Sequence, residues 1–411
     1  MSRARWIALG VFVLVLSALT LVPRGGGGDG SMRRTADQPR TGPLTAGYGR
    51  VTPAYRQVIN RVVQQSRSAS APTASRNASP RALVDDVVQC ATFEGQRYCL
   101  GSGWTDRTEA QVRNRTVSAM QRQASGRTGG TSTGDLSAYD AVRERAAMSP
   151  SARAAADRAE LTEAARSVAK IWLLRHQIQH VPLPPGFRAR HPEVRPASSS
   201  SDARTTTTAA EGGGQRRLKH WNQYPRKGTV LSSKHVSEQQ RTYWCGPTTM
   251  QMIAWGWSGD RRSQGHWAHE LGTTTSGSAI TSMVHIVNRV TGYDRESYAG
   301  PYITLDISDW SFKQWRLLMA RHVVDYDAPV VLHPVLLKQY FPYLDHDGSG
   351  HFQVGRGYEK RAGKPTLLGY FEPWNQQRFH PDEPYIDRVQ WRSAYRAYRA
   401  NEAHFQHNLG V

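Results

Sequence analysis

The feature that most constrains this chain is a cysteine at the predicted start of a helix, within residues 243–250. Cys245 is followed by Gly246 and Pro247, and proline is tolerated at the first helical positions because its missing N–H would have no partner there. Apolar residues then recur at steps of three and four, as on one face of a helix. They are Met250, Ile253, Ala254 and Trp257. The pattern predicts a helix that begins at Cys245 and buries one face.

The position of this thiol gives it a candidate function. A thiol at a helix N-terminus lies beside unpaired backbone N–H groups and the positive end of the helix dipole, and both favour the thiolate. The thiolate is the nucleophilic form, so Cys245 is a candidate catalytic residue. An inert, buried cysteine at an apolar helix start is the alternative, and this segment alone does not separate the two.

Charge and tryptophan are distributed unevenly along the chain. Residues 1–217 carry 31 Lys and Arg against 16 Asp and Glu, and residues 218–411 carry 22 against 17, a net +15 and +5 that give the +20 of the whole chain. Nine of the twelve tryptophans lie in 218–411, which predicts that the core lies in that half. The basic half is either a solvated linker or a contact for an anionic membrane or cell-envelope surface. No specific nucleic-acid partner is predicted.

The N-terminus has the pattern of an export signal. Arg3 and Arg5 precede seventeen uncharged residues, 6–22. This length is long for a signal-peptide core and marginal for a membrane span. Residues 1–23 are therefore predicted to be a signal peptide or an uncleaved membrane anchor. Either would place the rest of the chain outside the cell or at its surface.

Composition divides the remaining chain into four regions. Residues 24–80 and 181–217 are rich in Gly, Ser, Thr, Pro and Arg, and both are predicted to be flexible linkers. Within the first linker, residues 55–63 have the spacing of a short helix or of a contact with a partner. Residues 81–180 are predicted to form a small region of a hairpin and helices, and 218–411 a separate domain.

Periodicity predicts several further elements in these regions. The predicted helices are residues 109–123, a stretch within 151–177, residues 274–291 and residues 395–407, and a buried strand is predicted at 330–335.

The other two cysteines lie where a hairpin would bring them together. Cys90 and Cys99 flank a predicted turn at Glu94 and Gly95, with alternating apolar residues on both sides. In an exported chain this spacing indicates a disulfide, and two free thiols are the alternative. A disulfide leaves Cys245 as the unpaired thiol. No second cysteine pair or close histidine pair supplies further zinc ligands, so neither a metal nor another cofactor is predicted.

A second predicted hairpin supplies a histidine and an acid. Residues 350–358 and 367–374 are predicted strands joined by a polar turn, and the midpoint between His351 and Glu372 falls in that turn. The hairpin would place the two side chains on neighbouring strands near opposite positions. A reactive cysteine needs such a histidine as its base and an acid or amide to orient the ring. Asn375 is the reserve candidate for the orienting group, and an ordinary strand histidine is the alternative.

These motifs together resemble a known family. Gln239 lies six residues before Cys245, which begins a Cys-Gly-Pro-Thr run. His351 follows a glycine and precedes an aromatic residue on a later strand, and Glu372 precedes a proline at a strand end. Over about residues 235–376 the chain resembles the bacteriocin-leader-peptidase-like cysteine peptidases of the papain clan.

The resemblance implies an α+β, papain-like fold in which the nucleophile helix packs on an antiparallel sheet that carries the histidine. It implies that Cys245 is the nucleophile, His351 the general base and acid, Glu372 the orienting acid and Gln239 the oxyanion donor. The family usually has Asp where this chain has Glu372. Two tryptophans that lie close in sequence to the predicted site residues are candidate substrate-binding residues, and the alternative for each is a position in the core. They are Trp244 and Trp374.

The sequence therefore predicts an exported thiol hydrolase that cleaves a peptide or amide bond in a peptide or protein substrate. Two alternatives remain open. An amine could intercept the acyl-enzyme, which would make the protein a transpeptidase. The domain could also be a catalytically inactive papain-like module that binds at the cell envelope.

Overall fold

The computed structural model describes residues 49–69, 78–125, 132–194, 219–292 and 301–411. The predicted signal peptide or anchor, residues 1–23, and parts of both predicted linkers lie outside these ranges. Among the described residues, no helix combines the length and the apolar character needed to cross a membrane.

Thirteen α-helices occur in the described residues. They are α1 (Pro53–Ala69), α2 (Pro80–Val87), α3 (Glu109–Ala124), α4 (Ala138–Ala147), α5 (Pro150–Arg166), α6 (Val168–Leu174), α7 (Phe187–Arg190), α8 (Cys245–Ile253), α9 (Gln264–Leu271), α10 (Ile280–Val290), α11 (Phe312–Val324), α12 (Gln376–Phe379) and α13 (Ala394–Ala403). The helices α6 and α8 continue into short π-helical turns, Arg175–Gln179 and Ala254–Ser258.

The described strands form one ten-stranded sheet. They are β1 (Cys90–Phe93), β2 (Gln96–Cys99), β3 (Gly103–Thr105), β4 (Lys227–Thr229), β5 (Thr304–Asp306), β6 (Val330–Leu332), β7 (Gln353–Arg361), β8 (Lys364–Phe371), β9 (Val389–Ser393) and β10 (Asn408–Gly410). The order across the sheet is β1-β2-β3-β5-β10-β6-β7-β8-β9, with β4 paired to β7. All pairs are antiparallel except β3 with β5. The predicted α+β class, with an antiparallel-dominated sheet, is therefore confirmed.

The first hairpin forms as predicted. Strands β1 and β2 pair with Cys90 directly opposite Cys99, and the two residues form a disulfide. The turn residues Glu94 and Gly95 both have positive φ, 46° and 81°. Two successive positive φ values suit a two-residue hairpin turn, and glycine adopts them without steric cost. The predicted disulfide is therefore confirmed.

The N-terminal strands extend the sheet of the C-terminal half. Trp104 on β3 lies opposite Leu305 on β5, and both side chains are fully buried. Residues from both halves of the chain share one apolar core, among them Ile59, Leu161 and Leu409. The core is thus not confined to residues 218–411. The prediction was based on the distribution of tryptophans and did not take into account the Val, Ile, Leu and Ala side chains that residues before 218 contribute to the core.

The first predicted linker contains the short helix that the spacing of residues 55–63 allows, and the second contains a helix that the sequence does not predict. Residues 53–69 form α1, and Tyr55, Ile59 and Val63 on one face of it are buried. In the second linker, α7 buries Phe187. Both segments are polar in average composition, but their few apolar residues are spaced so that one face can pack.

Two predicted helices end differently in the structure. The helix predicted within 151–177 is divided at Ser167 into α5 and α6. The final helix, predicted at 395–407, ends at Ala403, because the chain then turns at His407 (φ 53°) and continues as strand β10.

We predict that Trp104→Ala lowers the free energy of unfolding by about 3–5 kcal/mol, the usual cost of removing a buried tryptophan side chain. Because Trp104 packs at the junction of β3 and β5, amide protons of β5 and β10 should lose protection together with those of β2. Urea unfolding followed by hydrogen exchange measures both effects. Tyr385→Ala, at a residue that is 61 % exposed, is the aromatic control. Unchanged protection in β5 would contradict a shared sheet.

Candidate active site

Helix α8 begins at Cys245, as the sequence predicts. The N–H and the hydroxyl of Thr248 both donate to the carbonyl of Trp244, at 3.0 and 2.7 Å, and fix the first turn. The helix packs on β7, where the Thr249 hydroxyl donates to the Phe352 carbonyl at 3.2 Å. The backbone N–H of Phe352 in turn donates to the Cys245 sulfur. Because Phe352 directly follows His351, this contact places the thiol beside the predicted histidine.

The thiol is fully buried, and burial raises the pKa of Cys245 well above its ordinary value. The carboxylates of Asp135 and Glu372 raise this pKa further, whereas N–H donors from Phe352 and Gly246 lower it. The sequence predicts a thiolate on the grounds of the helix N-terminus. In this conformation desolvation outweighs the helix, because removing a charge from water costs more than one helix end returns.

The second hairpin brings His351 and Glu372 together. Strands β7 and β8 pair in a register that includes Val354 opposite Phe371, and the turn lies where the sequence places it. His351 Nε2 lies 2.7 Å from Glu372 Oε1, and both side chains are fully buried. The other ring nitrogen, Nδ1, has no hydrogen-bond partner among the described residues. The carboxylate therefore orients the ring and leaves Nδ1 free to exchange a proton.

Glu372 is fixed by three donors besides the histidine. The Tyr343 hydroxyl and the Gln353 amide donate to Oε2 at 2.7 and 2.6 Å, and the Trp374 N–H donates to Oε1 at 2.9 Å. Two of these donors would have been hard to find by motif, because Tyr343 and Gln353 carry no sequence signal. The side chain of Glu is one methylene longer than that of Asp, the usual residue of the family. The hydrogen bonds from Tyr343 and Gln353 fix the position of its carboxylate. Asn375 instead accepts from a backbone N–H nearby, at 3.1 Å.

Gln239 is also fully buried beside this site. Its backbone N–H donates to the carbonyl of Pro373, which follows Glu372, at 3.0 Å. Its side-chain nitrogen Nε2 is surrounded by three carbonyl oxygens, those of Arg241 at 2.9 Å, Thr242 at 2.8 Å and Thr133 at 3.3 Å. The structure therefore brings Gln239 to the end of the histidine–acid hairpin, with its amide donors already in use.

A buried network that the sequence does not predict lies against the site. Asp135 Oδ1 is 2.8 Å from His333 Nε2, and Asp135 Oδ2 is 2.9 Å from His404 Nε2. The His333 ring stacks on Phe352, with ring centroids 4.4 Å apart. Asp135 lies in a Gly- and Thr-rich stretch without periodicity, and its partners are 198 and 269 residues away. No local pattern could have joined them.

The charges in this network follow from its hydrogen bonds. Burial alone would raise the pKa of Asp135, but the facing His333 and His404 lower it to about 2. Burial and the neighbouring His333 together lower the pKa of His404 from 6.5 to about 4, although Asp135 opposes them. His404 Nδ1 accepts from the Gln406 N–H at 3.1 Å, so Nε2 carries the proton that is donated to Asp135.

The three side chains are of types that bind metal ions, and their ligand atoms lie close together. A metal on His404 Nε2 would require that nitrogen to be unprotonated and Nδ1 to carry the hydrogen. The Gln406 N–H already donates to Nδ1, which opposes that tautomer. The network fits a carboxylate that accepts hydrogen bonds from two histidines better than a metal centre, and we assign no metal to it.

The two tryptophans predicted to bind substrate lie in different environments. Trp374 is 1 % exposed and stacks on Phe379. Trp244 is half-buried, and the Arg241 guanidinium lies 4.8 Å from its ring centroid. Trp374 is thus packed as a core residue, whereas Trp244 keeps part of its surface in solvent. A substrate contact for either residue stays a prediction.

A cavity of about 440 Å³ lies away from these residues, between α4, α5 and α10. Its lining includes Glu163 and His285, which bond to each other at 2.7 Å, but not Cys245 or His351. Cavity size therefore does not locate the candidate active site, and the side-chain chemistry does.

A helix that begins at a cysteine and packs on a sheet carrying a histidine–carboxylate pair defines the papain-like class of cysteine peptidase folds. Residues 231–402 match the Peptidase_C39 like family, which confirms the resemblance predicted from the motifs. The match supports a cysteine peptidase domain over this range. No curated protein and no solved structure was found to match the chain.

We predict that Tyr343→Phe lowers the free energy of unfolding by about 1–3 kcal/mol, because a buried carboxylate oxygen loses one of its two donors. Equilibrium urea unfolding measures the change. Tyr340→Phe, at a half-buried residue three positions earlier, is the control and should change stability by less than about 0.5 kcal/mol. Equal effects of the two substitutions would show that the hydroxyl does not fix Glu372.

The lowered pKa of His404 predicts a loss of stability in acid. The unfolded chain binds a proton at this residue below about pH 6.5, whereas the folded chain does so only near pH 4. The free energy of unfolding should therefore fall by roughly 3 kcal/mol from this group as the pH falls from about 6.5 to about 4. Burial is the largest cause of the lowered pKa, the neighbouring His333 and Arg115 add to it, and Asp135 opposes it.

Urea unfolding at several pH values measures this dependence. His404→Gln should flatten it, and His269→Gln, at a side chain that is 88 % exposed, should leave it unchanged. An equally steep dependence in His404→Gln would assign the acid sensitivity to other groups.

Proposed function

We propose that this protein is a thiol hydrolase that cleaves a peptide or amide bond, with Cys245 as the nucleophile and His351 as the base. One observation carries the proposal. His351 is oriented by Glu372 through Nε2 at 2.7 Å, while its buried Nδ1 is unpaired among the described residues, beside the strand position that contacts the Cys245 sulfur. A ring held by one nitrogen with the other free is what proton transfer from a thiol requires.

The reaction follows from these positions. His351 Nδ1 takes the thiol proton, and the Cys245 sulfur attacks the carbonyl carbon of the substrate. The tetrahedral intermediate collapses to a thioester when the amine leaves with the proton from Nδ1. A water molecule, deprotonated by the same nitrogen, then hydrolyses the thioester and restores the thiol. Glu372 stabilises the imidazolium that forms twice in this cycle.

The oxyanion of each tetrahedral intermediate needs hydrogen-bond donors. We assign this function to the side-chain amide of Gln239 and the backbone N–H of Cys245, which begins helix α8. Donors of this kind contribute about 10²–10³ in rate when they are fixed before the reaction. The backbone of Gln239 is fixed by its bond to the Pro373 carbonyl. Its side-chain amide donates to the Arg241 and Thr242 carbonyls in this conformation and must turn from them to donate to an oxyanion.

We further propose that the chain acts outside the cytoplasm. The Cys90–Cys99 disulfide supports this location, because disulfides persist in oxidising compartments. The net +15 of residues 1–217 supports contact with an anionic envelope surface. Sedimentation of the protein with anionic vesicles should weaken as salt is raised. Binding that does not respond to salt would contradict an electrostatic contact.

The hydrolase proposal predicts a definite pattern among variants. Wild-type protein is incubated with a mixed peptide library, and new chain ends are read by mass spectrometry. Cleavage should be lost in Cys245→Ala and His351→Ala, and should fall by at least about 10²-fold in Glu372→Gln, which removes the charge that stabilises the imidazolium. His285→Gln, which changes a histidine outside the site, is the matched control and should retain activity.

Two outcomes would redirect the proposal. Products in which an added amine replaces the leaving group would identify a transpeptidase. Cleavage that survives in Cys245→Ala would exclude this site altogether.

A further inference from the structure

Residues 133–136, which we name the strap, pass beside the candidate active site with a bend at Gly134. On one side they pair with Ser278 through a parallel β-bridge. The Ser278 N–H donates to the Gly134 carbonyl at 2.9 Å, and the Leu136 N–H donates to the Ser278 carbonyl at 3.0 Å. Ser278 itself abuts the nucleophile helix, since a Cβ added at Gly246 would lie 2.5 Å from its hydroxyl.

On the other side the strap contacts the residues just before the proposed base. The Thr133 N–H donates to the Ser349 hydroxyl at 3.1 Å, and the Thr133 hydroxyl donates to the Gly350 carbonyl at 2.8 Å. Gly350 directly precedes His351. The strap therefore lies between Ser278, which packs against the nucleophile helix, and Gly350, which precedes His351. Its backbone hydrogen bonds are to Ser278.

Gly134 lies directly against the two residues that precede the nucleophile. Its φ is +111°, and an added Cβ would lie 2.5 Å from the Tyr243 carbonyl oxygen and 2.9 Å from the Trp244 nitrogen. A side chain at this position would be both strained and in collision with backbone atoms. The close approach of the strap thus depends on a residue without a side chain.

The strap also contacts the proposed oxyanion donor. The side-chain nitrogen of Gln239 has two hydrogens, and the carbonyls of Thr133, Arg241 and Thr242 all lie within 3.3 Å of it. The two nearer carbonyls belong to the same loop as Gln239 and match its two amide hydrogens. The Thr133 carbonyl is the most distant acceptor, so the strap contacts this amide without being the group that occupies its donors.

A buried charge holds the strap in this position. Asp135 bonds to His333 at 2.8 Å and to His404 at 2.9 Å, and all three side chains are buried. With the strap in place, Cys245, His351 and Glu372 are fully buried. A substrate could not reach the sulfur in this conformation, so a segment packed against the site must move first. The strap is such a segment, because it contacts Gly350 and Tyr243, which lie near His351 and Cys245 in the sequence.

We propose that the strap is an internal pseudosubstrate, which occupies the groove for an extended peptide and must leave before a substrate binds. A substrate would then compete with the strap for the surface beside Tyr243 and Trp244, which Gly134 contacts. This proposal rests on the function proposed above for Cys245.

The test uses the full chain without reductant, so that the disulfide leaves Cys245 as the free thiol. Alkylation by iodoacetamide, read by intact mass, should be at least 10-fold faster in Gly134→Ala than in wild type. Ser132→Ala changes the exposed residue just before the strap and should alkylate at the wild-type rate. Asp135→Asn, which keeps the side-chain volume, is the second releasing variant if Gly134→Ala fails to fold.

A synthetic peptide tests the groove directly. A peptide with the sequence of residues 126–140 should slow alkylation of the releasing variant, and the same peptide carrying the Gly134→Ala change should not. Library cleavage by the releasing variant should exceed cleavage by wild type at least 10-fold.

The outcomes separate the two proposals. Faster alkylation of the variant without any peptide cleavage would support the strap proposal but contradict the proposal that the protein is a hydrolase. Wild-type cleavage as fast as that of Gly134→Ala would retain the hydrolase but overturn the strap. The strap proposal also fails if alkylation of the variant matches wild type, or rises only in proportion to the unfolded fraction measured by hydrogen exchange.

Discussion

The candidate site depends on one hydrogen bond in a dry interior, between His351 Nε2 and Glu372 Oε1 at 2.7 Å. A buried carboxylate is costly unless each oxygen has donors, and strands β7 and β8 place the histidine where it supplies one. Tyr343 and Gln353 supply the others on the second oxygen. This full set of donors fixes the ring, while its second nitrogen, Nδ1, is buried without a hydrogen-bond partner among the described residues. The longer Glu side chain is accommodated because its carboxylate is held by several donors.

Burial and charge compete at the thiol. Helix α8 and two backbone N–H groups favour the thiolate of Cys245, but removal from water dominates and raises its pKa. The strap is part of what excludes water, and Asp135 adds a negative charge near the sulfur. The same residues therefore close the groove and oppose ionisation of the nucleophile. Release of the strap would reverse both effects, which couples access to reactivity without a large change in the fold.

The sequence predicts local features of this structure well. The helix start at Cys245, the Cys90–Cys99 hairpin and the pairing of His351 with Glu372 all follow from short spacings. The pairing of β3 with β5, 201 residues apart at Trp104 and Leu305, has no local signal, and neither has the bond between Asp135 and His404. Helix α7 in the second predicted linker is missed because average composition conceals its one buried apolar residue, Phe187. The spacing of residues 55–63, in contrast, does allow α1.

The most direct test of the account is the pH dependence of Cys245 alkylation in Gly134→Ala, with and without His351→Ala. If the released thiol forms an ion pair with His351, the single variant should react at about pH 5–6, and the double variant only near the ordinary thiol pKa of about 8.5. If both variants react alike near pH 8.5, His351 does not activate the thiol. Cys245 would then be an ordinary buried cysteine, and a papain-like binding module would replace the hydrolase.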